Sequence, residues 1–140
     1  MQYQVSIFHM TTTGFRNAQD RAGRMNRNEA PSKVLEGMEK GYYLLCAQVG
    51  AESLEDAYKR TQNDFFENGW AQGDTVTWAA QHQDGKNRQR SSMVGDIFLF
   101  DANAYVVAMM GFTRLPEAIA YKLSEYGFTG KTGTAFDDAL

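Results

Sequence analysis

Two apolar runs, 97–100 and 105–110, separated by Asp101-Ala102-Asn103, constrain this chain more than any other stretch. Each has the length of a strand, and a short break bearing Asp and Asn between two such runs is a hairpin signal. Gly95-Asp96 opens the first run and Gly111 closes the second. Neither run alternates with polar residues, so a sheet that contains them needs cover on both faces. A stripe of Met, Phe and Tyr is ordinarily core material and not a ligand box. The hairpin is therefore expected at the centre of the fold, away from any functional site.

Before the hairpin, Tyr3, Val5 and Ile7 alternate with polar residues and predict a strand over 3–9. Residues 11–30 are polar and read as a loop, with a short helical stretch at most. Val34, Leu35 and Met38 suit a turn or two of helix ending at Gly41, and 42–49 (Y-Y-L-L-C-A-Q-V) is a strand that Gly50 ends. Ser53-Leu54-Glu55-Asp56 is a helix start, with Ser53 as acceptor for a first-turn amide and acids placed where the helix dipole favours them. Leu54, Ala57, Tyr58, Thr61 and Phe65 share one helical face, and Asn68-Gly69 supplies the stop. Val76, Trp78, Ala80 and His82 fall on one face of a strand, and Asp84-Gly85 reads as a hairpin turn. After Leu115, Pro116 suits the first position of a helix along Ile119, Leu123 and Tyr126, ending at Gly127.

These elements predict one α+β domain. It has a mainly antiparallel sheet, or a small partly open barrel, of about five or six strands with two helices, one across a sheet face and one near the C-terminus. Within 1–140, residues 1–41 form a strand plus a basic loop, 42–127 the core and 128–140 a frayed tail. Leu44, Leu54, Phe65, Phe98, Phe100, Val106 and Ala108 are expected in one buried cluster. The length of 140 residues and an apolar share of 43% suffice for such a core.

Cys46 is the single cysteine and lies inside an apolar run, so it reads as a small buried hydrophobe, and neither a disulfide nor a thiolate metal site is expected. The first ten residues lack a basic region followed by a sustained apolar one, so no secretory leader is expected. No apolar run approaches the roughly 20 residues that span a bilayer. A reducing cytoplasm is the expected setting.

Catalytic chemistry finds little support. His9 and His82 each sit beside a strand without Asp, Glu or His at metal-ligand spacing. Ser91 and Ser92 have no evident base and read as turn residues. G-F-T-G-K-T-G-T (127–134) has the composition of a phosphate loop but follows a helix instead of a strand, which removes the geometry such a loop needs. No catalytic set, metal or cofactor is expected.

Charge is distributed unevenly around a net of −3. Arg16, Arg21, Arg24, Arg27 and Lys33 face only Asp20 and Glu29 in one segment, and Lys86, Arg88 and Arg90 face only Asp84 in another. The rest of the chain is acidic, so the molecule is electrically polarised if those loops converge.

Tyr42-Tyr43 in a strand, S-L-E-D-A-Y-K-R-T-Q-N from Ser53, E-N-G-W from Glu67 and R-S-S-M-V-G-D from Arg90, with a hairpin ending in Gly111-Phe112, form an ordered set. That set resembles a group of small uncharacterised proteins and domains of conjugative plasmids, phages and other mobile elements, including YodL-like domains. The resemblance spans about 42–112 and is most specific at R-S-x-x-V-G-D; the pattern has Ser where this chain has Met93. It implies a mobile-element accessory protein without a settled reaction.

Two functions follow as expectations. The favoured one is a non-catalytic factor that binds a host or plasmid protein, as inhibitor or modulator, with Glu52, Glu55, Asp56, Asp64 and Glu67 and the Arg-rich loop providing steering charge. The alternative is nucleic-acid binding through the loops at 16–33 and 86–90, with Trp70 or Trp78 stacking on bases. The candidate binding residues for either are Arg16, Arg21, Arg24, Arg27, Lys86, Arg88 and Arg90. Gly95 and Asp96 read as a structural motif, Asp96 holding the turn by accepting backbone amides. Arg90 either pairs with Asp96 or faces a partner.

Overall fold

The structure, a computed structural model, describes residues 2–11, 13–14, 29–66, 69–79 and 89–129. Six strands form one open antiparallel sheet in the order β3-β2-β1-β4-β5-β6: β1 Tyr3–Met10, β2 Tyr43–Ala51, β3 Val76–Ala79, β4 Ile97–Phe100, β5 Asn103–Val107 and β6 Phe112–Arg114. The helices are α1 Ala30–Glu39, α2 Leu54–Arg60 and α3 Glu117–Thr129, with short 3-10 turns at Asn63–Phe65 and Trp70–Gln72. Among the described residues no helix is long and apolar enough to cross a membrane.

Both faces of the sheet are covered, as the absence of alternation in the central hairpin requires. Consecutive strand residues point to opposite faces, and along β4 they enter different cores. Ile97 packs with Phe8, Met10, Tyr43, Leu45, Ala104 and Val106 beneath α1 and α3. Phe98 packs with Val5, Ile7, Cys46, Val49 and Trp70 beneath α2. The expected single cluster is thus two. Leu44, Phe98 and Val106 are buried, whereas Leu54, Phe100 and Ala108 are only partly so; the side chain of Phe65 lies outside the described residues. A two-faced sheet divides what a sequence-based reading takes for one core.

Pro31 enters α1 in its first turn, where its missing N–H costs nothing, and the helix runs ten residues instead of one or two turns. Gly37 sits inside it for a packing reason: a Cβ there would lie 2.9 Å from the ring of Tyr43. Ser53 caps α2 as expected, its Oγ accepting from Asp56 N at 3.0 Å. Asp56 in turn accepts from Glu52 N and Arg60. The helix ends at Arg60, well before Asn68-Gly69. The Thr61 hydroxyl donates back to the carbonyls of Ala57 and Tyr58, and its own carbonyl is taken by Ser92 N at 3.0 Å, so the ladder cannot continue.

The central hairpin turns on two residues, not three. Asp101 and Ala102 both have positive φ, 51° and 61°, and Phe100 pairs with Asn103, so β5 begins two residues earlier than the apolar run suggests. It also ends earlier, at Val107, leaving Met109 and Met110 exposed before Gly111 at φ 74°. On β3 an irregularity pairs Trp78 with Gln48 but Val76 with Val49. The two therefore point to opposite faces, against expectation. Val76 packs into the core beneath α2, while Trp78 is 40% exposed. Leu115, Ile119, Ala120 and Leu123 seat α3 on the sheet, and the helix continues through Gly127 to Thr129. The expected Asp84-Gly85 turn and the tail after Thr129 lie outside the described residues.

Candidate functional site

Two arrangements contain chemistry: a sealed polar knot under the sheet, and a strip of half-exposed rings on its surface.

The knot is built by the segment 89–96 crossing from beneath α2 to β1. Arg90 donates to both carboxylate oxygens of Asp96, each at 2.7 Å, in the bidentate fork that a guanidinium favours. Asp96 also accepts Met10 N and Met93 N, both at 2.8 Å, while Arg90 donates to the carbonyls of Met10 and Ser91. The ion pair is closed off: side-chain exposure is 8% for Arg90 and 0% for Asp96. Burial alone would raise the Asp96 pKa, but the Arg90 charge, then His9 and the donated hydrogen bonds, hold it below the usual carboxylate value. Burial likewise opposes the charge of Arg90, and Asp96 restores it.

The rest of the knot binds the motif together. Trp70 is fully buried and donates its Nε1–H to the Arg90 carbonyl at 2.7 Å. Asn63 makes three bonds in this weave, with its amide nitrogen on Gln89 O, its backbone N–H on Ser91 Oγ and its Oδ1 on Trp70 N. Gln62 donates to the Ser92 carbonyl, and the Tyr43 hydroxyl to the Gly95 carbonyl at 2.9 Å. Gly95 itself takes φ 98°, a conformation that a side chain would strain. T-Q-N, the Trp of E-N-G-W and R-S-x-x-V-G-D are thus parts of one contact set. Met93 enters it through its backbone N–H.

His9, Ser92 and Asp96 meet here, yet they do not form a catalytic triad. His9 Nε2 lies 2.9 Å from Ser92 Oγ and 3.8 Å from Asp96 Oδ2, so the acid and the hydroxyl approach the same ring nitrogen. In a triad the acid orients the other nitrogen. All three are buried, at 0%, 3% and 0% exposure, which leaves a substrate no approach. Burial, and then the Arg90 charge, lower the His9 pKa from 6.5 to about 3, so the ring is neutral. Cys46 is buried beneath the same group; burial pushes its thiol pKa up, away from a reactive thiolate. Among the described residues no group of three or more metal-ligating side chains occurs.

These contacts revise the sequence-based site. Arg90 is half of a buried ion pair, and Asp96 accepts Met93 N across the turn in which Gly95 takes a positive φ. Trp70 is core and unavailable to a base. Arg16, Arg21, Arg24, Arg27, Lys86 and Arg88, with His82 and the Gly127–Thr134 segment beyond Thr129, lie outside the described residues. Lys33 belongs to α1 and pairs with Glu29 at 3.4 Å.

The surface strip escaped the sequence reading. Tyr3 of β1 meets Phe100 of β4 edge to face at 5.3 Å, and Phe100 meets Tyr105 of β5 at 5.7 Å. Tyr105 is paired across the ladder with Arg114 of β6, whose guanidinium is held by Asn103 Oδ1 at 2.6 Å. Tyr3 is 38% exposed, Phe100 and Tyr105 are partly exposed, and Arg114 is exposed. The strip shares the face of α2, on which Phe98, Phe112 and Tyr58 make a further set of ring contacts. Exposed Glu52 follows Ala51, the cross-strand partner of Tyr3, and exposed Glu55 lies on α2. The signal for it lay in register: only a two-residue turn makes Phe100 and Tyr105 diagonal neighbours on one face.

No protein-family model, curated protein or solved structure matches this chain.

Proposed function

We propose that this chain is a non-catalytic accessory factor that binds a protein partner, and that it docks through the strip Tyr3–Phe100–Tyr105–Arg114. The contiguous row of half-exposed rings ending in a positioned guanidinium carries this reading. Tyr and Arg are enriched among residues that dominate binding energy at protein interfaces, because large rings bury much area at low entropic cost. The neighbouring acids Glu52 and Glu55 favour a partner with basic groups around an apolar centre, and steer its approach. The knot, with its His, Ser and Asp sealed inside, supports a structural and not a catalytic role for the chain's most chemical residues. The mobile-element setting rests on the resemblance across 42–112, and a reducing, cytoplasmic one agrees with the lone buried Cys46.

A second reading, single-stranded nucleic acid stacked on the same rings, is favoured by their spacing and by Arg114. Acidic neighbours at Glu52, Glu55 and exposed Asp101 oppose it by repelling phosphate.

The test is a pull-down from nuclease-treated host lysate with the wild-type protein and the Tyr3→Ala/Tyr105→Ala variant, whose fold is checked by thermal unfolding. A stoichiometric polypeptide recovered by the wild type and lost in the folded variant supports the reading. Equal recovery by both, or salt-sensitive retention of DNA or RNA in place of a polypeptide, overturns it.

A further inference from the structure

We propose that His9 is an acid-operated latch: when its imidazole takes up a proton, the segment 89–96, with the start of β4, is released from β1. The geometry provides a closed state that accepts only the neutral ring. Nε2 shares its one hydrogen bond with Ser92 Oγ at 2.9 Å. Nδ1 is buried and has no hydrogen-bond partner among the described residues. An imidazolium carries N–H on both nitrogens, and the second would be a buried donor without an acceptor, a costly state.

Charge works in the same direction. The groups around His9 are Arg90, Ser92 and Asp96 from the segment itself, Cys46 from β2 and Trp70 beneath it, while Tyr43 of β2 bonds the same segment at the Gly95 carbonyl. Asp96 is the single anion among them, and its oxygens already receive both guanidinium bonds and two backbone amides. Burial pushes the Tyr43 and Cys46 pKa values up, so both stay neutral. Trp70 offers only its ring, edge to face at 5.9 Å. Asp96 Oδ2, 3.8 Å from Nε2, attracts a charged ring, but burial and the repulsion of Arg90 outweigh it. Ser92, the other end of the His9 bond, lies in the middle of the segment, where its backbone also joins Thr61 and Gln62. Opening there uncouples β1 from the end of α2 in one step.

The direction with pH follows from linkage. In the closed state the His9 pKa is lowered to about 3, against 6.5 for the accessible group. The open state therefore binds more protons between those values, and opening grows as pH falls through that window. From pH 7 to pH 4.5 the open fraction should rise roughly 70-fold. Asp96, whose pKa is lowered from 3.8, stays ionised in the closed state over that range and adds only about 1.2-fold to the change.

Amide hydrogen exchange on the intact chain tests this. After correction for intrinsic rates, the amides of Met10, Ser92, Met93 and Asp96 should lose protection roughly 70-fold between pH 7 and 4.5, while amides in α3 change far less. His9→Gln retains a neutral partner for Ser92 and should abolish the pH dependence. Protection independent of pH, or the same dependence in His9→Gln, overturns the latch. Should His9→Gln fail to fold, the imidazole of the wild type is followed directly by NMR. A ring that stays neutral down to about pH 4 upholds the proposal, and one that titrates near 6.5 with the fold unchanged refutes it.

Discussion

Replacing Asp96 by Asn changes almost no volume and isolates what the buried charge does. The carboxylate accepts four hydrogen bonds, two from Arg90 at 2.7 Å and one each from Met10 N and Met93 N at 2.8 Å. An amide turns one of the two oxygens into a donor. In either orientation that donor faces a guanidinium N–H and a backbone N–H, so two bonds become repulsive contacts. Arg90, at 8% side-chain exposure, also loses its counter-ion. Removing one partner of a buried pair costs about 3–5 kcal/mol, because the other charge is left uncompensated. Against a total stability of about 5–15 kcal/mol, that loss should lower Tm by roughly 10–20 °C. Guanidinium unfolding followed by tryptophan fluorescence measures it directly, since Trp70 donates to the Arg90 carbonyl. The same assay on Arg90→Met and on the double variant completes a cycle. The double variant carries no buried charge and should be less destabilised than the sum of the singles by about 2 kcal/mol or more. A cost below about 1 kcal/mol for Asp96→Asn, or additive single effects, would show that the pair is solvated and the knot open.

Three further outcomes are expected. Phe98→Ala, which empties a fully buried position beneath α2, should cost about 3–5 kcal/mol in denaturant unfolding, through the lost transfer energy and the cavity. Ser53→Ala should destabilise by about 0.5–2 kcal/mol because Asp56 N loses its acceptor, while Ser53→Asp should be nearly neutral; equal losses would dismiss the cap. Cys46, buried with its thiol pKa pushed up, should react with a thiol reagent far more slowly in the native protein than in denaturant, and labelling at the rate of a free thiol would place it at the surface.

Local and short-range features were legible in the order of residues. Alternation at Tyr3, Val5 and Ile7, the apolar run after Tyr42, and Ser53 three residues before Asp56 each act within a few residues, where backbone geometry dictates the outcome. The α+β class and a mainly antiparallel sheet of about five or six strands followed from those elements and their short connections; the structure has six. What the sequence left open depended on partners distant along the chain. Helical periodicity favours continuing past Thr61, and only Ser92, some thirty residues on, claims the carbonyl that ends α2. Arg90 had two outcomes by composition, a surface cation or a partner for Asp96. Enclosure by Trp70, β1 and β2 decides between them, because a guanidinium in that space needs its carboxylate. The ring strip was hidden for a related reason: Tyr3, Phe100, Tyr105 and Arg114 come from four strands, and their adjacency exists only once strand order and a two-residue turn set the register. Sequence periodicity assigns a residue to a face of its own strand; which neighbours share that face is decided by pairing across the sheet.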